Sequence, residues 1–151
     1  FFEVQGLAEY VEWPAGALGE PPAPFRIEVL GDDPFAGLLE KAYATRTIRG
    51  RSVRIRHVAR AADVGPCHLL FVSASAAPQL EELLARLRHR PILLVGDTRG
   101  LGEAGVHLNF YLEADKVRFE LNPAALRQAG LNVSYLLQQV ARTVEPREGG
   151  R

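Results

Sequence analysis

Two unbroken apolar runs, HLLFVS at 68–73 and PILLVGD at 91–97, flank a stretch at 78–90 in which Leu80, Leu83, Leu84 and Leu87 fall on one helical stripe. A strand that is apolar at every position must be covered on both faces, and parallel strands joined by crossover helices achieve this. No other feature constrains the fold as tightly. Strand and helix alternating in this way predict a mainly parallel sheet with right-handed crossovers. Upstream, FRIEVLG at 25–31 alternates Ile27 and Val29 with Arg26 and Glu28, and SVRIRHV at 52–58 alternates Val53, Ile55 and His57 with Arg54 and Arg56. Both read as half-buried strands. Between them Asp33-Pro34 joins a favoured N-cap to a favoured first helical residue, which predicts a helix over 34–45.

Downstream the period changes. VHLNFYLE at 106–113 and KVRFELN at 116–122 are strictly alternating and are separated by Ala114-Asp115, the spacing of a hairpin. With those two residues as the turn, Leu108 faces Leu121, Phe110 faces Phe119 and Leu112 faces Val117 on an apolar face. Helices are predicted over 2–13, ended by Pro14, over 123–129 and over 133–144, the last with Leu136, Leu137, Val140 and Ala141 on one side. The expected architecture is one α/β domain over 1–144: a mainly parallel sheet with flanking helices, three-layer α/β/α-like, ending in an antiparallel hairpin. Residues 145–151 are expected to fray.

Charge narrows the function classes. The 18 Lys+Arg balance 18 Asp+Glu, so bulk electrostatic binding of nucleic acid or an anionic membrane is not expected. The lone Cys67 excludes an intrachain disulfide and a multi-cysteine metal site within these residues. It precedes an apolar strand and reads as a packed thiol, with pairing between chains as the functional alternative. The first residues show no basic segment and no small-residue cleavage site, so a mature or trimmed chain is expected.

Several patterns carry possible chemistry. GLGEAG at 100–105 matches G-x-G-x-x-G but is followed by a strand pattern, whereas a dinucleotide cradle needs a helix there; a mobile surface loop is expected. Asp32 and Asp97 follow glycines at the ends of apolar strands, where open α/β sheets bind ligands, although turn aspartates also occur there for structural reasons. In a response-regulator receiver an acceptor aspartate would end the third strand; Ser73 stands there instead. The polar face of the hairpin pairs His107 with Asn122, Asn109 with Glu120 and Tyr111 with Arg118. This face reads as a solvated outer surface or subunit contact, or as a small-ligand site in which Arg118 takes an anionic group. His57, His68, His89 and His107 are scattered, no metal or cofactor is expected, and no base, nucleophile and charge stabiliser come together, so an enzyme is not expected.

Taken in order, YVEWP (10–14), VLGDDPF (29–35), CHLLFVS (67–73), LLVGD (93–97), LNFYLEADKVRFELNPAALRQAGL (108–131) and SYLLQQVAR (134–142) resemble the YfiR family of bacterial periplasmic regulators. The resemblance implies a small periplasmic α/β signalling protein that forms homodimers. It also implies repression of a membrane diguanylate cyclase, or modulation of a histidine kinase, through that partner's periplasmic sensor region, with cyclic-di-GMP output and biofilm formation as the readout. Small aromatic or nucleotide-like ligands are associated with the family, and a stand-alone binding protein for such a solute is the alternative. Contact with partner or ligand is expected at His107, Asn109, Tyr111, Arg118, Glu120 and Asn122, with Asp32 and Asp97 as further candidates. Trp13 and Phe35 are expected to be packing anchors, and the first and last helices to offer a dimer surface. Well-known relatives contain cysteine pairs; with Cys67 alone, that redox switch does not transfer.

Overall fold

The alternating and continuous apolar runs form strands β2 (Phe25–Leu30), β3 (Val53–Val58), β4 (Leu69–Val72) and β5 (Leu93–Gly96), followed by the hairpin strands β6 (Leu108–Glu113) and β7 (Lys116–Leu121). The computed structural model describes residues 8–144. A final short strand, β9 (Arg142–Thr143), completes a seven-stranded sheet of order β3-β2-β4-β5-β6-β7-β9. Every neighbouring pair is parallel except β6 and β7. The edge strand β3 carries Arg54 and Arg56, charges that discourage pairing with another sheet.

The strands β4 and β5 are buried at every position, as their composition requires. Phe25, Ile27, Leu69, Phe71, Leu93 and Val95 point to one face, which α1 (Leu38–Tyr43), α4 (Pro123–Ala129) and α5 (Tyr135–Val140) cover through Leu39, Tyr43, Leu126, Ala129 and Leu137. Leu30, Leu70, Val72 and Leu94 point to the other, covered by α2 (Leu80–Leu87) and α3 (Leu101–Ala104) through Leu80, Leu83, Leu87 and Leu101. This is the expected three-layer α/β arrangement. Trp13 and Phe35 pack as anchors: the Trp13 ring meets Phe25 edge-on at 5.3 Å and its Nε1 donates to the His68 carbonyl, while Phe35 meets Phe71 at 4.9 Å.

Three helix expectations are corrected. Residues 2–7 lie outside the described residues, but 8–13 hold a single 3-10 turn (Ala8–Tyr10) and then β1 (Val11–Glu12), which pairs antiparallel with β8 (Asn132–Val133). Val11 and Trp13 alternate inward, a strand's period, and that prevails over local helix propensity. The helix expected over 34–45 begins at Leu38, because Ala36 (φ 50°) and Gly37 (φ 81°) are left-handed. Asp33 caps the turn before it, accepting from the N–H groups of Phe35 at 2.8 Å and Gly37 at 3.1 Å. The helix expected over 133–144 spans only Tyr135–Val140, opened by the Ser134 hydroxyl accepting from Leu137 N–H and followed by β9. The expected frayed tail at 145–151 lies outside the described residues. No described helix is long and apolar enough to cross a membrane.

Candidate functional site

The hairpin has the predicted register, with Phe110 opposite Phe119 and Tyr111 opposite Arg118. Ala114 (φ 51°) and Asp115 (φ 63°) both adopt the left-handed conformation that a two-residue type I′ turn requires, here without glycine. The solvated outer face read from the sequence is corrected. His107, Asn109, Glu120 and Asn122 are buried, Tyr111 is half-buried and Arg118 alone is exposed. The cover is the GLGEAG segment. It is not a mobile loop: Gly100 (φ 90°) and Gly105 (φ 129°) turn the chain at either end of α3, with Leu101 and Gly102 buried. A Cβ on Gly102 would lie 2.5 Å from Glu120 Oε1. A carboxylate against the middle glycine opposes a bound pyrophosphate, which also argues against a nucleotide cradle.

Most of the buried polar atoms bond to one another or to the backbone. Asn109 Nδ2 donates to the Thr98 carbonyl at 2.9 Å and to Glu120 Oε1 at 3.1 Å. Its Oδ1 has no partner among the described residues and faces Gly96, where a Cβ would stand 3.0 Å away. Asn122 Nδ2 donates to the Gly102 carbonyl at 2.8 Å, while its Oδ1 accepts from Ala125 N–H at 3.1 Å and caps α4. His107 Nδ1 accepts from Leu94 N–H at 2.9 Å. Burial pulls the pKa of His107 down to about 3, against an opposing hydrogen bond with the Ala125 backbone. The imidazole is therefore neutral and committed to the backbone. The network joins β5, β6, β7 and the Gly-rich segment, and so fixes the hairpin on the sheet. Tyr111 and Arg118 remain reachable at its tip, where Arg118 Nε lies 3.2 Å from Glu113 Oε1 in a solvent-exposed pair that contributes little to stability.

The apolar face read from the hairpin and the apolar stripe of the last helix are each buried only in part. Leu112 (71% exposed) and Val117 (49%) extend the Phe110–Phe119 row beyond the core. Of the stripe expected on the last helix, Leu137 is buried and Ala141 packs against the core, but Leu136 (65%) and Val140 (69%) are exposed together with Tyr135 (71%).

Asp32 and Asp97 stand exposed at the carboxyl ends of β2 and β5, separated by β4. Partial burial, the largest influence, raises the Asp97 carboxyl above its usual value. The crevice where the strand order reverses, between β2 and β4, is bridged by serines: Asp32 N–H donates to Ser75 Oγ at 2.8 Å, and Ser73 Oγ donates to the Leu30 carbonyl at 2.9 Å. Asp33, Glu40 and His57 each bring one donor atom within 4.8 Å of the others, a convergence across the fold that spacing could not foretell. Each already has a partner: Asp33 caps its turn, and Glu40 Oε2 lies 2.5 Å from His57 Nε2. Cys67 is buried, and burial followed by the nearby Glu28 carboxylate pushes its thiol far above the usual range, in line with a packed thiol.

The fold resembles a solved structure, the ABC domain in complex with L-Trp from Streptococcus pneumonia, with a TM-score of 0.62 and 12% identity over 93% of this chain. The chain spans 61% of that protein's length, and at this identity the likeness shows the fold alone. No curated protein matches the chain. A model of the YfiR/HmsC-like family matches residues 4–142, a span that takes in the Trp13-Pro14 and Gly31-Asp32-Asp33-Pro34 segments, the hairpin and α5. The chain belongs to the YfiR/HmsC-like family, a family of regulatory proteins.

Proposed function

We propose that the protein is a periplasmic repressor that binds the periplasmic sensor region of a membrane diguanylate cyclase and holds it in its less active conformation. Family membership supports the class of activity. The observation that carries the reading is the outward apolar row of α5, Tyr135, Leu136 and Val140, on the same sheet face that Leu112 and Val117 extend at the hairpin tip. Large apolar side chains left exposed together mark a contact surface. Tyr111 and Arg118 stand on the opposite face of the same hairpin tip, where a partner that wraps the tip would meet them as polar contacts. The tip lies at the carboxyl edge of the sheet, because β6 runs parallel to β5, and Asp32 and Asp97 stand exposed on that same edge. In this reading His107, Asn109, Glu120 and Asn122 act from behind, fixing the hairpin that the partner meets. A regulator of this kind works by binding one conformation of its partner more tightly than the other.

The test is capture of a cyclase from detergent-solubilised membranes on the immobilised protein. Retention that is lost in Leu136→Asp/Val140→Asp, or weakened in Arg118→Glu, supports the proposal. No retained cyclase, or retention indifferent to both changes, refutes it. A second copy of the chain is the competing occupant of this face, and sedimentation equilibrium of the same variants reads it directly.

A further inference from the structure

At the amino-terminal edge of the sheet, away from the hairpin tip, an open cavity of about 380 Å³ lies between the 14–24 loop and the starts of β2, β4 and β5. That volume is in the range of small-molecule sites. Its walls are held in place. Arg51 ties down the loop, donating from Nη1 to the Leu18 and Ala23 carbonyls at 2.8 and 2.9 Å and from Nη2 to the Gly19 carbonyl at 2.8 Å. His68 Nδ1 accepts from Arg26 N–H at 2.9 Å. Burial lowers the His68 pKa against a hydrogen bond with the Ala17 backbone, and the charges of Arg51 and Arg26 lower it further.

The charge at the cavity is one-sided. Arg26 and Arg90 both line it, and among the described residues neither has a carboxylate within ion-pair distance. The parallel register of β2 and β3 also sets Arg26 beside Arg54, which likewise has no carboxylate partner among those residues. Like charges on neighbouring strands are destabilising. Further along the same pair of strands, Arg56 instead faces a carboxylate, that of Glu28 at 3.4 Å. Leu18, Pro24 and Ile92 give the cavity apolar surface beside the cations.

We propose that this cavity binds a small organic anion, its carboxylate or phosphate held by Arg26 and Arg90 and its apolar body lying against Leu18, Pro24 and Ile92. The proposal is independent of the cyclase reading, since the cavity lining and the exposed row of α5 share no residue.

Isothermal titration calorimetry of the full chain with four probes tests it: benzoate, phenyl phosphate, benzamide and inorganic phosphate. Saturable binding of benzoate or phenyl phosphate is expected, with benzamide, the neutral isostere of benzoate, weaker by about tenfold or more because it forfeits the charge-assisted contacts. Arg26→Gln with Arg90→Gln, both at exposed positions, should weaken the anions by a similar factor without lowering the melting temperature of the free protein. Ala23→Phe, which narrows the cavity, should weaken the aromatic anions whatever the arginine variants do. The proposal is overturned by no heat from either aromatic anion at millimolar concentration, by benzamide binding as tightly as benzoate, or by affinities unmoved by these variants. Inorganic phosphate binding as tightly as phenyl phosphate would also overturn it, since the apolar walls would then contribute nothing.

Discussion

Asn122 tests whether the buried face of the hairpin is a structural network. Its side chain does two things at once: Oδ1 accepts from Ala125 N–H and caps α4, and Nδ2 donates to the Gly102 carbonyl. Loss of an N-cap costs about 1 kcal/mol. The Gly102 carbonyl still accepts from Gly105 N–H at 3.2 Å, so it is not orphaned when Asn122 is removed. The second loss is therefore that of one ordinary hydrogen bond, about 1 kcal/mol, rather than the larger penalty of a stranded buried group. Asn122→Ala should then lower stability by about 2 kcal/mol, a fall in melting temperature of roughly 4–8 °C for a chain of this size. Asn122→Ser keeps a capping oxygen and should lose about half as much. Asn122→Asp keeps the cap but turns a second oxygen toward the Gly102 carbonyl in a buried position, and should be the least stable of the three. Urea denaturation measures the series, with the midpoint moving and the slope unchanged. An alanine variant within about 0.5 kcal/mol of the parent, or an aspartate variant as stable as the parent, would refute the reasoning.

Three further outcomes follow from burial. On α5, Leu137→Ala should cost about 2–5 kcal/mol and Leu136→Ala less than about 0.5 kcal/mol, although the two are neighbours of the same type; equal midpoints in urea would contradict their placement. The pKa of His107 is depressed to about 3 in the folded chain against 6.5 when exposed, so its contribution is fully present above pH 6.5 and is lost as pH falls toward 3. Urea midpoints of the parent should fall more steeply between those values than those of His107→Gln, and parallel curves would count against this. The Cys67 thiol is raised above its ordinary value of 9.0, so stability is retained below that pH and declines above it as the unfolded thiol ionises. A disulfide reagent at pH 8 should label Cys67 at the rate of unfolding, and immediate labelling of the native protein would show that the thiol is not packed.

The sheet and the hairpin were legible because each local choice agreed with the next. Residues 68–73 and 91–97 have the pattern of strands covered on both sides, and two alternating runs around Ala114-Asp115 give one two-residue register. Helix lengths were less legible. Asp33-Pro34 is a sound opening signal, but the left-handed Ala36 and Gly37 spend it on a turn. Residues 8–13 follow the pairing of β1 with β8, a strand 120 residues downstream by β-ladder register (Glu12 opposite Asn132), which no local pattern contains.

What alternation determines is that a strand has two different faces; it does not determine which face meets water. His107, Asn109, Glu120 and Asn122 are polar and alternate, so by pattern they belong outside, yet the Gly-rich segment returns over them because Gly102 has no Cβ to keep it away from Glu120. Conversely, Leu136 and Val140 are apolar on a helix and by pattern belong inside, yet α5 rests on the sheet through Leu137 and leaves them in solvent. The strands β2 to β7, their order along the chain and the hairpin register are properties of the local sequence. The covered polar network, the exposed apolar row and the arginine-lined cavity arise from long-range packing, since burial depends on which segment comes back to cover a face and a one-dimensional period carries no information about that.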